Sequence, residues 1–152
     1  MIKLDNIDRK ILRILQSDGR ITTKELANKL HLTNTPVYER VKKLEKNGII
    51  EKYIAILNPE KLNRNMVIFI DVNLQKHTKD AVDNFKKAAL AFPEVMEFHN
   101  VSGEYDVHLK IMVRDMAEFK LFLEEKLSGC ENVSTVHSSF AISSETKIGF
   151  EI

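Results

Sequence analysis

Seven side chains able to exchange hydrogen bonds or charge with a ligand lie close together: Thr33, Asn34, Thr35, Tyr38, Glu39, Lys42 and Lys43. Hydroxyls, an amide, a phenol and a carboxylate come first, and all of them can exchange hydrogen bonds with base edges. Lysines follow one turn later, where they can meet phosphates. Arg40 is counted with them, although it could equally pair with an acidic neighbour as a structural residue. No nucleophile–base spacing, phosphate loop or paired-carboxylate motif stands out in the chain. Ser138-Ser139 and Ser143-Ser144 read as strand and turn residues, and Cys130, after Gly129, as structural.

Such a group needs a scaffold, and residues 4–48 spell one out. Leu4, Ile7, Ile11, Ile14 and Leu15 recur at helical steps, with Asp5 as N-cap and Asp8 in the first turn. Asp18-Gly19-Arg20 is a turn. Thr22 and Glu25 have capping-box spacing before Leu26, Ala27 and Leu30. A tight turn at 31–33 leads to Thr33 as the next N-cap. Pro36 then falls in the first turn, where its missing N–H costs nothing. Val37, Val41 and Leu44 face inward, and Gly48 ends the helix. "IIEKYIAIL" looks like a short wing or strand. Three short helices, the last two tightly joined, make a helix-turn-helix, whose last helix enters the DNA major groove tip first. The plain alternative is a solvated three-helix bundle that binds nothing.

The rhythm changes after Asn58–Arg64, the natural hinge. Strand runs at 66–74, 94–102, 105–113 and 132–143 alternate with helical runs at 78–92 and 114–129. That order is βαββαβ, a ferredoxin-like unit. The fold class is therefore α+β, with residues 1–57 as a winged helix-turn-helix, 58–64 as hinge and 65–152 as the ferredoxin-like domain. If Ser102 pairs with Tyr105 in the central hairpin, Phe98 meets Leu109 and Met96 meets Ile111 on one face. Glu97 meets Lys110 and His99 meets His108 on the other. The first strand is apolar on both faces, with Met66, Ile68, Ile70 and Val72 on one and Val67 and Phe69 on the other, and helices cover only one face of such a sheet. A second subunit is the simplest cover, and a homodimer also suits a two-half-site operator. His99 and His108 could both ligate one ion. No third ligand lies nearby, so an interface or hydrogen-bonding role is preferred and no metal is expected.

Charge divides the same way. Residues 1–63 carry a net charge of +5 and residues 64–152 a net charge of −4. A basic front and an acidic back suggest that the front meets a polyanion. At 43% hydrophobic and 30% charged the chain is not a disordered tail. No apolar run nears the ~20 residues of a membrane span. The opening "MIKLDNIDRK" is no signal peptide. One cysteine allows no disulfide framework. A cytoplasmic location is the expectation.

The stretch from "LDNIDRKIL" through "DGRI", "ELA" and "VYERVKKLE" to "NP" resembles the Lrp/AsnC (feast/famine) transcription regulators. "VSGEYDVHLKIMV" resembles the glycine–acidic–Tyr–Asp loop and strand of that family's effector domain. The likeness spans essentially the whole chain, with "SSETKIGFEI" fitting least. It implies a non-enzymatic regulator binding double-stranded DNA as a homodimer that assembles further, often to an octamer, with no cofactor. It also implies an amino-acid effector held between dimers at Ser102, Gly103, Glu104, Tyr105 and Asp106. A glycine loop offers N–H donors to the effector's carboxylate, and Asp106 or Glu104 an anion to its ammonium. Two rivals remain: an architectural DNA binder without ligand, and a ferredoxin-like enzyme or metal sensor with a DNA-binding appendage.

Overall fold

The computed structural model describes residues 3–147 and 149–152. They divide into two compact units, Met1–Ile56 with Thr146–Ile152, and Leu57–Glu145.

The first unit holds α1 (Asn6–Ser17), α2 (Thr23–Leu30) and α3 (Asn34–Lys46). A capping box starts α2 at Thr22/Glu25, as the spacing predicts, and α1 has one too, with Asp8 completing the cap expected at Asp5. Each satisfies two backbone donors that a helix start leaves orphaned. Ile11, Leu12, Leu26, Ala27, Val37 and Leu44 form the core. His31 adopts a left-handed conformation after α2, and its three-residue turn sends the chain into α3. Thr33 occupies the N-cap position of α3, but its side chain makes no capping bond. Gly48 has φ +69°, a conformation that favours glycine, and closes α3.

Two expectations change here. Residues 51–58 contain no strand. An extended segment needs a neighbour to complete its ladder, and this unit has no other strand among the described residues. Ile54, Ile56 and Leu57 are left exposed. The last residues, assigned by sequence to the back domain, belong with the first unit. Arg13 Nη2 donates to the Ile152 carbonyl at 2.6 Å, the Phe150 N–H donates to Gln16 Oε1 at 3.0 Å, and Ile152 packs against the helical core.

The second unit runs β1 (Met66–Leu74), α4 (Lys79–Ala91), β2 (Val95–Asn100), β3 (Val107–Val113), α5 (Met116–Leu121) and β4 (Val133–Phe140). Its sheet is antiparallel in the order β2-β3-β1-β4, the ferredoxin-like arrangement. Ile68, Ile70, Val72, Val107, Leu109, Ile111 and Val113 face the helices and are buried. A π-helical segment, Phe122–Leu127, continues α5. Its wider turn brings Phe122 and Leu127, five residues apart, onto the same buried side as Phe119. Arg64, the last hinge residue, pairs with Glu118 of α5 at 2.7 Å.

The central hairpin has the expected pairs Phe98–Leu109, Glu97–Lys110 and His99–His108. Ile111, however, pairs with Val95 rather than Met96. A bulge between Val95 and Glu97 leaves Met96 out of the ladder and exposed. On the uncovered face, Phe69 sits on a central strand and is 45% exposed.

Candidate nucleic-acid interface and effector loop

Burial of Val37 and Leu44 fixes which side of α3 turns outward. Thr33, Asn34, Thr35, Tyr38, Glu39, Lys42 and Lys43 are all exposed. They form two adjoining rows at four-residue steps, Asn34–Tyr38–Lys42 and Thr35–Glu39–Lys43. Hydrogen-bonding groups thus occupy the N-terminal half of the helix and cations the C-terminal half.

The cations are not equivalent. Lys42 Nζ bonds Glu45 Oε2 at 2.8 Å and lies 5.8 Å from the centre of the Tyr38 ring. The Glu45 carboxylate raises the Lys42 pKa, and Lys42 in turn holds Glu45 below the usual carboxylate range. The Tyr53 hydroxyl also donates to Glu45, at 3.2 Å. Burial, then Glu45, pushes the Tyr53 phenol up. Part of Lys42's charge is therefore already answered within the protein. Lys43 makes no ion pair among the described residues.

Arg40 is engaged within the protein, which favours its structural alternative. Its Nη1 bonds Asp8 Oδ1 at 2.7 Å and Asp5 Oδ2 at 2.6 Å, the two carboxylates that cap α1. Its pKa is raised by Asp8 first and Asp5 second. The guanidinium ties α3 to the start of α1. Asp5 and Asp8, at matching helical spacing, were the sequence signal for this role.

In the second unit, residues 101–106 connect β2 to β3. Ser102, Gly103 and Glu104 are exposed, while Tyr105 and Asp106 are half-buried. Gly103 has φ +148° with open space where a side chain would start. Glycine is thus needed for its backbone angles. Asp106 already has partners within the chain. Its Oδ2 accepts the Leu74 N–H at 2.8 Å and lies 3.0 Å from His77 Nε2. Its backbone N–H also donates to Val72. Asp106 anchors the loop to the end of β1, and Glu104 is the carboxylate that makes no ion pair among the described residues. The Tyr105 ring lies 6.2 Å from the His108 ring and 5.5 Å from the His137 ring. A cavity of about 720 Å³ lies elsewhere, between α4 and residues 125–132, and no loop residue lines it.

The model of the winged helix-turn-helix DNA-binding family matches residues 4–51, and that of the Lrp/AsnC ligand-binding domain matches residues 67–148. The chain belongs to the Lrp/AsnC family. It is 38% identical over 144 residues to the Bkd operon transcriptional regulator of Pseudomonas aeruginosa, covering 95% of this chain and 94% of that one. It is 41% identical over 124 residues to the leucine-responsive regulatory protein of Escherichia coli K12, covering 82% and 76%. A Neisseria meningitidis transcriptional regulator, solved with L-methionine, superposes with a TM-score of 0.90 at 35% identity, covering 96% and 94%. This Lrp/AsnC chain is accordingly a DNA-binding transcriptional regulator, from a family that is not enzymatic. No helix among the described residues is long and apolar enough to cross a membrane.

Proposed function

We propose that this regulator reads double-stranded DNA with the tip of α3 and adjusts its assembly to an amino-acid effector held by the loop 102–106. Thr33, Asn34, Thr35, Tyr38 and Glu39 reach base edges. Lys43, with Lys42 as a weaker partner, holds phosphates. The observation that carries this reading is the separation on α3 of an exposed hydrogen-bonding tip from a cationic rear, on a helix whose other side is buried.

The effector half rests on different support. Gly103 and its neighbours present backbone donors, Glu104 presents an anion, and Asp106 holds the loop still. None of these residues lines the cavity of the single chain. That favours a pocket completed by another copy. Phe69, exposed on a central strand beside Val67 and Met112, favours a homodimer closed sheet to sheet in the cytoplasm, with dimers assembling further to an octamer. An effector can shift DNA binding only if it binds one assembly state better than another.

Thermal-shift measurements against the twenty amino acids, paired with sedimentation, test this directly. A true effector raises the melting temperature, since a ligand at 100 times its Kd contributes about 2.7 kcal/mol. It also changes the sedimenting mass, and Glu104→Gln weakens both effects. If no amino acid changes either readout, the effector role falls and a purely architectural regulator replaces it.

A further inference from the structure

Residues 51–57 form neither helix nor strand, and Ile54, Ile56 and Leu57 stand exposed along them. Tyr53 differs from these neighbours, because its ring turns back onto the helical unit. A methyl group added at Gly19 would lie 3.5 Å from Tyr53 Cδ1, so the ring rests against the turn between α1 and α2. With Tyr38, Lys42 and Glu45 it walls a small cavity of about 170 Å³ beside α3. Among the described residues, its hydroxyl makes the hydrogen bond that joins residues 51–57 to α3.

We propose that Tyr53 is a positioning residue for sequence reading: through Glu45 and Lys42 it holds the side chain of Tyr38 in one orientation toward the bases. This rests on the function proposed above, in which Tyr38 meets base edges. The contacts are continuous from Tyr53 to Tyr38. Glu45 Oε1 accepts the Tyr53 hydroxyl at 3.2 Å, and Glu45 Oε2 accepts Lys42 Nζ at 2.8 Å. The last torsion of a glutamate is broad when nothing holds it, and a donor on each oxygen fixes it here. Lys42 in turn lies one helical turn from Tyr38, with its ammonium 5.8 Å from the ring centre and within cation–π reach.

Each link alone is weak. Lys42 is exposed and Glu45 partly so, and a solvated ion pair contributes little to stability. The relay instead selects rotamers. Tyr38 is exposed and makes no hydrogen bond within the chain among the described residues, so its contact with Lys42 is what restrains it. Base contacts demand placed donors and acceptors, whereas attraction to phosphates is insensitive to the rotamer of a tyrosine. Losing the Tyr53 hydroxyl therefore weakens binding to the specific site and spares binding to random DNA. Glu45 stays ionised beside Lys42, so the number of phosphates met, and with it the salt slope, is unchanged.

The test compares the full chain with Tyr53→Phe, which keeps the ring against Gly19 and removes only the hydroxyl. Selection from a random pool gives each protein's motif. Fluorescence anisotropy gives its affinity for the unsubstituted chain's motif and for random DNA. Tyr53→Phe is expected to lower the ratio of specific to random affinity about three- to tenfold, through the specific site alone. It should alter the motif at the base positions that Tyr38→Ala alters. Should Tyr53→Phe not fold, Glu45→Gln breaks the same relay and its affinity ratio and motif are judged in the same way. An equal loss on both DNAs assigns Tyr53 to stability alone and overturns the positioning role. So does an unchanged ratio and motif while Tyr38→Ala still shifts its own, an outcome that leaves base reading by Tyr38 standing. A motif that Tyr38→Ala does not change overturns the reading and the positioning role together.

Discussion

Arg40→Met separates a structural arginine from a DNA-binding one. The substitution keeps the aliphatic stem and removes the guanidinium, which makes two charge-assisted bonds of 2.6 and 2.7 Å to Asp5 and Asp8. Such bonds are worth about 1.5–3 kcal/mol each when sheltered. Here the Arg40 side chain is 32% exposed and that of Asp5 49%, so the Asp5 bond is largely screened, whereas Asp8 is only 16% exposed. The loss should total about 1–2 kcal/mol after discounting for solvent. In a helical unit of this size that lowers the melting temperature by about 5–10 °C. The pH dependence follows from Asp5, whose pKa is lowered by the Asp8 backbone N–H first and by Arg40 second. A depressed folded-state pKa means the stabilisation is present above the unfolded value, about 3.9, and is lost as pH falls through the folded one. The difference between wild type and Arg40→Met should therefore hold at pH 7 and shrink below about pH 4. Thermal denaturation gives the stability, and fluorescence anisotropy over a salt series gives the DNA contact. The salt slope should not change. A slope reduced by about 0.9 with an unaltered melting temperature would mean that Arg40 grips a phosphate, and would refute the structural assignment.

Other substitutions divide in the same manner. Lys43→Ala should lower the salt slope of DNA binding by about one, and Lys42→Ala by clearly less, because Glu45 already neutralises part of Lys42; equal losses would contradict that pairing. Lys126→Met should cost roughly 2–3 kcal/mol, since it strands the buried Glu94 carboxylate, whose Oε2 has no partner among the described residues. Adding Glu94→Gln should recover part of that loss in chemical denaturation. Gly103→Ala should strain a backbone held at φ +148° by about 1–3 kcal/mol. It should abolish the effector-induced thermal shift while leaving DNA affinity in the absence of effector unchanged.

The helices and strands were legible because local signals set them. Asp5/Asp8 and Thr22/Glu25 advertise helix starts, Gly48 a helix end, and two-residue alternation the four strands. What sequence spacing missed depends on contacts between distant segments. The bulge at Met96 reflects how β2 meets β3, not its own alternation. The missing wing strand reflects the lack of a neighbouring strand, which residues 49–57 cannot announce. The return of the tail to α1 joins residues separated by 139 and 134 positions. At the candidate sites, residue types could not show which side chains are already engaged within the chain. The partners of Arg40 and Asp106, namely Asp5, Asp8, Leu74 and His77, lie on other segments.

The most direct test of the central claim, that the tip of α3 reads sequence, is selection of bound duplexes from a random pool by the full chain and by Tyr38→Ala. The unsubstituted protein should enrich a two-fold-related motif, and Tyr38→Ala an altered one while its affinity for random DNA stays the same. Enrichment of one motif by both proteins, or of none by either, would contradict it.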